Sequence, residues 1–136
     1  RCGYAVGCPA LVDALARCRD CFNSYPVDAV CQAVCAAAIG DGAYYAEKTA
    51  LVVSERERLS AELAARGFSV LPSSANFVFA KHGEVGGREV YEQLRARGVL
   101  VRHFAKPRIA GYCRITVGSR EQNDALLAAL DAFLPR

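Results

Sequence analysis

Two arginines set among β-branched residues carry the strongest chemical signal in this chain. "GYCRITVG" at residues 111–118 reads as a strand, with Tyr112, Arg114 and Thr116 on one face and Cys113, Ile115 and Val117 on the other. The second face is an ordinary core face. Arginine is seldom buried without a partner, so the first face must offer Arg114 something to hold. "VLVRHF" reads as another strand and carries Arg102, with the loop "KPRIAG" between the two. If the strands are neighbours, the two guanidiniums approach each other on one face. Close cations repel unless an anion lies between them. A planar guanidinium holds carboxylate or phosphate through paired hydrogen bonds. The alternative is that each arginine pairs with an acidic residue of its own chain, and spacing leaves both readings open. Lys106 and Arg108, in the connecting loop, are read as solvated.

Other reactive residue types form weaker patterns. His82 and His103 are the only histidines. In a regular strand His103 faces opposite to Arg102, and no Ser or Cys nucleophile motif accompanies it. Cys18 and Cys21 form a CxxC, while Cys31 and Cys35 lie one helical turn apart. Together these four could form a zinc set. "VCQAVCAAA" favours the plainer reading, in which the cysteines are small buried residues of alanine-rich helices. "ARCRDCFN" does not follow a strand, which argues against dithiol redox chemistry. No GxGxxG, Walker, HExxH or EF-hand pattern is present. From the residues alone, no metal site and no named reaction emerge, only an anion-binding arginine.

The elements that position these residues fall into two kinds. "GYAVG" at residues 3–7 reads as a small strand without a nearby partner, expected to belong to a sheet in a missing N-terminal part. "CPALVDALARCRD" reads as a helix with Pro9 in its first turn. A second helix is expected from Pro26, with Val27, Val30 and Val34 on one side, until "GDG" at residues 40–42 breaks it. Asp41 is placed to cap a third helix from about Ala43 to Arg66, with Gly67 as its stop. Leu51, Val52, Leu59 and Leu63 mark its apolar side, and "SERER" reads as a solvated face. Residues 68–134 then read β-β-α-β-β-α, through "FSVL", "NFVFA", "GREVYEQLRARG", "VLVRHF", "YCRITV" and a last helix. Ser119 and Gln122 form a capping box for that helix, which is expected to bury Leu126, Leu127, Leu130, Phe133 and Leu134. This is an α/β chain ending in an α+β layer, an antiparallel or mixed sheet with helices on one face. Arg114 then points away from the helical core.

Bulk properties bound the function. The chain has 136 residues, 53% of them hydrophobic and 23% charged, as in a soluble globular protein. Seventeen basic and fourteen acidic residues give a net charge of +3, too small to argue for nucleic acid. No apolar run approaches the roughly 18 residues of a membrane span, and no signal peptide is visible. An odd count of seven cysteines fits free thiols in a reducing cytoplasm. Arg1 as the first residue, and the absence of methionine, predict a piece of a longer chain.

Taken in order, "RCGYAVG", "PVDAVCQAVCAAA", "LPSSANFVFA", "RGVLVRHF" and above all "GYCRITVGSREQNDALLAAL" resemble the C-terminal part of fold-type I pyridoxal-phosphate aminotransferases. The histidinol-phosphate aminotransferase group is the most similar. The motifs run in the family's order over nearly the whole chain. The resemblance implies that Arg114 binds the anionic group of the substrate, an α-carboxylate or a phosphate, and that Arg102 assists. It implies that Arg1 contacts the phosphate of the cofactor, pyridoxal 5'-phosphate, and that Asn76 helps shape the site. It also implies a homodimer and a small anionic substrate, either an amino acid or a phosphorylated amine. In the family, the lysine that binds the cofactor covalently lies a few residues before the position of Arg1. The aspartate facing the pyridine nitrogen lies in the large domain. Lys48, Lys81 and Lys106 match neither motif, so no catalytic residue is expected in this chain, which alone should be inactive. Residues 1–41 are expected as a remnant at the junction with the large domain, and 42–136 as the small domain. The alternatives are the same scaffold acting on an aromatic or other amino acid, a related decarboxylase of a phosphate-bearing substrate, or a non-catalytic anion-binding domain.

Overall fold

A computed structural model of the chain describes residues 3–21, 23 and 27–135. The element order is α1 (Pro9–Asp20), α2 (Ala29–Gly40), α3 (Gly42–Ala65), β1 (Phe68–Leu71), β2 (Phe77–His82), α4 (Gly87–Ala96), β3 (Arg102–His103), β4 (Cys113–Thr116) and α5 (Arg120–Asp131). The chain divides between Ala46 and Glu47 into two compact units.

In the first unit, α1 opens with Pro9, whose missing amide costs nothing in a first turn. The expected strand at residues 3–7 does not form: residues 3–8 carry no regular element, and no strand of this unit could satisfy their backbone groups. The second helix was expected to start at Pro26, which lies outside the described residues. It begins instead at Ala29, because the Asp28 carboxylate caps it by accepting from the Cys31 amide at 2.8 Å. The expectation of buried cysteines is also corrected. No residue of α1 or α2 is buried; Cys18, Cys21 and Cys31 are exposed and Cys35 is half-buried. A unit this short, built on two twelve-residue helices, cannot enclose a core of its own.

Asp41 caps α3 as expected, accepting from the Tyr44 amide at 3.3 Å. At ~1.5 Å per residue α3 is about 36 Å long. Gly67 ends it with φ +81°, and Gly98 follows α4 with φ +79°, both in the left-handed region that favours glycine. The second unit holds one sheet in the order β1-β2-β4-β3, antiparallel throughout. Leu59 and Leu63 of α3, Val90 and Leu94 of α4 and Leu126, Leu127 and Leu130 of α5 pack against Phe68, Val78, Ala80, Cys113 and Ile115 of the sheet. The layer of helices on one face is therefore as expected. Phe133 and Leu134 lie beyond α5 and are only partly buried. β3 is shorter than the apolar run that suggested it, pairing only at Arg102 and His103 before the chain leaves the sheet edge.

One expectation about α3 fails. "SERER" is not wholly solvent-facing, because Glu55 is only 5% exposed. Its carboxylate accepts from Arg58 at 2.8 Å and from Asn123 at 2.9 Å, and Asn123 lies in α5. A helix-local view sees charge pairs; the buried polar contact comes from a partner 68 positions away.

Candidate functional site

β4 lies between β2 and β3, which places Arg114 opposite Phe79 on one side and opposite Arg102 on the other. Residues directly opposite in an antiparallel pair share a face and stand about 4.5–5.5 Å apart at Cα. The two arginines therefore stand side by side on the face that the helices leave open. Alternation places Phe77, Phe79 and Lys81 of β2 on that face, beside Tyr112 and Thr116. Arg114, Arg102, Thr116 and Lys81 are exposed, whereas Cys113 and Ile115, on the helix side, are buried.

Like charges directly opposite on a sheet repel. Aromatic rings make the pair tolerable here. The Arg114 guanidinium lies 5.4 Å from the Phe77 ring centre, and that of Arg102 lies 5.5 Å from the Phe104 ring centre. Phe79 stacks on Tyr112 at 4.8 Å, and Lys81 Nζ stands 5.8 Å from the Tyr112 ring centre. The contrast with other arginines is informative. Arg58 bonds Glu55 and Asp124, Arg66 bonds Glu62 and Asp131, and Arg88 bonds Glu92. Among the described residues, neither Arg102 nor Arg114 makes an ion pair. The internal-partner reading therefore does not hold for them within these residues. They form a cationic, aromatic-backed surface without a counter-ion among the described residues, and the planar fork of a guanidinium has the geometry to hold a carboxylate or phosphate.

Asn76 directly precedes β2. Its carbonyl accepts from the Val117 amide at 2.9 Å, extending the β2–β4 ladder by one rung, while its side chain is exposed. The structure thus brings Asn76 to the same pair of strands as Arg114 without showing a contact between the two side chains. Arg1 lies outside the described residues. His103 faces the helix side opposite Cys113, and its Nε2 lies 2.9 Å from the Ala110 carbonyl, to which it donates; the Cys113 thiol donates to the Gly87 carbonyl at 3.2 Å. Among the described residues, no cluster of His, Cys, Asp and Glu is arranged to hold a metal. No helix there is long and apolar enough to cross a membrane. A groove of about 770 Å³ lies elsewhere in the unit, lined by Arg66, His82, Glu84 and Asp131. It is a poorer anion site, because Arg66 is already saturated by two carboxylates.

Sequence reasoning missed the aromatic backing and Lys81. Their signal was the odd-numbered alternation of "NFVFAK", which acquires meaning only once β2 is known to lie beside β4.

An antiparallel sheet, helices on one face and a two-arginine surface on the other define an α+β domain. The chain belongs to the aminotransferase class I and II family, whose model matches residues 1–130. It is 51% identical over 134 residues to histidinol-phosphate aminotransferase of Aromatoleum aromaticum, covering 98% of this chain. It is 48% identical over 134 residues to histidinol-phosphate aminotransferase 2 of Rhizobium meliloti, with the same coverage. It spans 38% of the length of each of these relatives. The crystal structure of histidinol-phosphate aminotransferase from Sinorhizobium meliloti in complex with pyridoxal-5'-phosphate superposes with a TM-score of 0.79 at 26% identity. That match covers 91% of this chain and 34% of the solved one.

Proposed function

We propose that this chain is the C-terminal part of a pyridoxal-phosphate-dependent histidinol-phosphate transaminase of histidine biosynthesis, exchanging an amino group between glutamate and imidazole acetol phosphate. Residues 42–136 act as its small domain, and 1–41 join that domain to the rest of the protein. The observation that carries the reading is the side-by-side pair Arg102 and Arg114, opposite one another in register and without an acidic partner among the described residues. Arg114 is the main ligand of the substrate anion and Arg102 its assistant. Asn76 lines the same end of the sheet. One site must accept the carboxylate of glutamate and the phosphate of the other substrate, and a guanidinium fork suits both.

Pyridoxal 5'-phosphate, when bound, supplies the electron sink for amino-group exchange. The described residues do not assemble a place for it. Lys48 pairs with Glu47 at 2.7 Å, Lys81 stands over Tyr112, and Lys106 lies in an exposed loop. Arg1 is our candidate for the phosphate of the cofactor. The work of this chain is to bind and orient the substrate anion, and alone it is inactive. The intact protein is a cytoplasmic homodimer in this reading.

The test is amino-donor and acceptor profiling of the full-length protein with pyridoxal phosphate. Glutamate-dependent turnover of imidazole acetol phosphate, or the reverse reaction from histidinol phosphate, is expected. A clear preference for an amino acid without a phosphate group would reject the substrate assignment. A second measurement, the mass of the purified protein in solution, checks the dimer.

A further inference from the structure

The long helix α3 reaches both strand ends at one end of the arginine face. At the start of β2, Arg56 donates from Nη1 to the Ala75 carbonyl at 3.0 Å. Ala75 precedes Asn76, whose carbonyl holds the Val117 amide. At the exit of β4, buried Glu55 accepts from Asn123 Nδ2 at 2.9 Å. Asn123 is itself only 2% exposed and clasps one residue from both sides: its Oδ1 accepts from the Gly118 amide at 3.0 Å, and its Nδ2 donates to the Gly118 carbonyl at 3.2 Å. The turn is tight, since a Cβ on Gly118 would come within 2.6 Å of Gln122 Oε1. Two consecutive residues of one helix thus fix, through backbone groups, the strand that presents Arg114 and the strand beside it.

Apolar packing could hold these layers together without such contacts. Hydrogen bonds to named backbone atoms do something packing does not, which is to select a register and a height. We propose that Glu55, Arg56 and Asn123 are positioning residues, setting where Arg114 offers its guanidinium to the substrate anion. The proposal rests on the assignment of Arg114 made above. Its premise is that a displaced guanidinium binds the anion less well in the ground state and the transition state alike, which raises KM and leaves kcat nearly unchanged.

The test uses the full-length protein loaded with pyridoxal phosphate, with histidinol phosphate as amino donor and 2-oxoglutarate as acceptor. Arg56→Ala, Arg56→Lys, Asn123→Ala and Arg114→Ala are compared singly, and Arg56→Ala is combined with Arg114→Ala. Circular dichroism at the assay temperature confirms that each is folded. Arg56→Ala and Asn123→Ala should raise KM about tenfold and leave kcat within about twofold, the signature of weakened anion binding. Arg56→Lys, which can still reach the Ala75 carbonyl, should recover most of the loss. Because the clamp acts through Arg114, adding Arg56→Ala to Arg114→Ala should raise KM no further. An unchanged KM in folded Arg56→Ala overturns the proposal, and so does an undiminished effect in the Arg114→Ala background. If Asn123→Ala does not fold, Arg56→Ala decides, since it removes a partly exposed side chain. If Arg114→Ala raises KM and Arg56→Ala does not, only the positioning role fails. If Arg114→Ala leaves KM unchanged, or the intact protein turns over neither substrate, the functional reading falls and the positioning role with it.

Discussion

Replacing Arg114 with alanine should separate function from folding. Arg114 is exposed, and the contact it loses is the one with the Phe77 ring at 5.4 Å. At an exposed site such a contact contributes about 0.5–1 kcal/mol. The substitution also relieves the repulsion from Arg102 across the ladder, about 0.2–1 kcal/mol of opposite sign. The two nearly cancel, leaving a net change below about 1 kcal/mol. In a domain of this size that shifts the melting temperature by less than about 4–8 °C. Binding should respond very differently. If the bound anion buries the pair in the full-length protein, removing one partner of a buried hydrogen-bonded charge pair costs about 2–5 kcal/mol. That is a loss of about 30- to 4,000-fold in affinity for the anion at 1.4 kcal/mol per decade. Arg114→Lys keeps the charge but not the fork and should fall between the two. The assay is a thermal melt of the 136-residue chain beside substrate KM in the full-length protein. A melting temperature lowered by more than about 10 °C would show Arg114 to be a structural residue. An unchanged KM would remove it from the site.

Three further outcomes are expected. Hydrogen bonds from Arg58, and then from Asn123, hold the Glu55 carboxyl below the usual carboxylate range, and Arg66 does the same for Asp131. A depressed folded-state pKa stabilises above the unfolded value and is lost as pH falls through the folded one. Melting temperature should therefore drop below about pH 4.5, and less steeply in Glu55→Gln; superimposable acid limbs would contradict this. Burial pushes the Cys113 thiol up to about 11, and its Sγ donates to the Gly87 carbonyl at 3.2 Å. Alkylation at pH 8 followed by mass spectrometry should therefore modify Cys18, Cys21 and Cys31 long before Cys113, and early labelling of Cys113 would be inconsistent with the packed sheet. Hydrogen exchange should show strong protection in "CRITV" and weak protection in "VDAVCQAV", since the second unit closes a core and α2 buries no residue. Equal protection of both in a proven monomer would refute the difference.

The local features of this protein were legible in its residues. Alternation in "CRITV" separates Arg114 from Cys113 and Ile115, because side chains of a strand point to opposite faces whatever lies next to it. The capping box at Ser119 and Gln122 forms as read, and so does the stop at Gly67, because each depends on atoms only a few residues apart. The motifs also carried the family. They could not carry what the first two helices would bury. "VCQAVCAAA" has the composition of a core, but burial needs a partner surface, and α2 finds none in its own unit. Strand order likewise came only with the fold. Arg102 becomes the neighbour of Arg114 because β3 pairs with β4 in that register, and the Phe77, Phe79 and Lys81 face acquires meaning because β2 flanks β4 on the other side. The role of "SERER" was decided in the same way. Its charge pairs are helix-local, but the burial of Glu55 and the reach of Arg56 to Ala75 exist only once α5 and β2 stand against α3. Periodicity and capping are short-range and written in consecutive residues, whereas pairing and buried polar contacts join distant residues that only the closed core brings together.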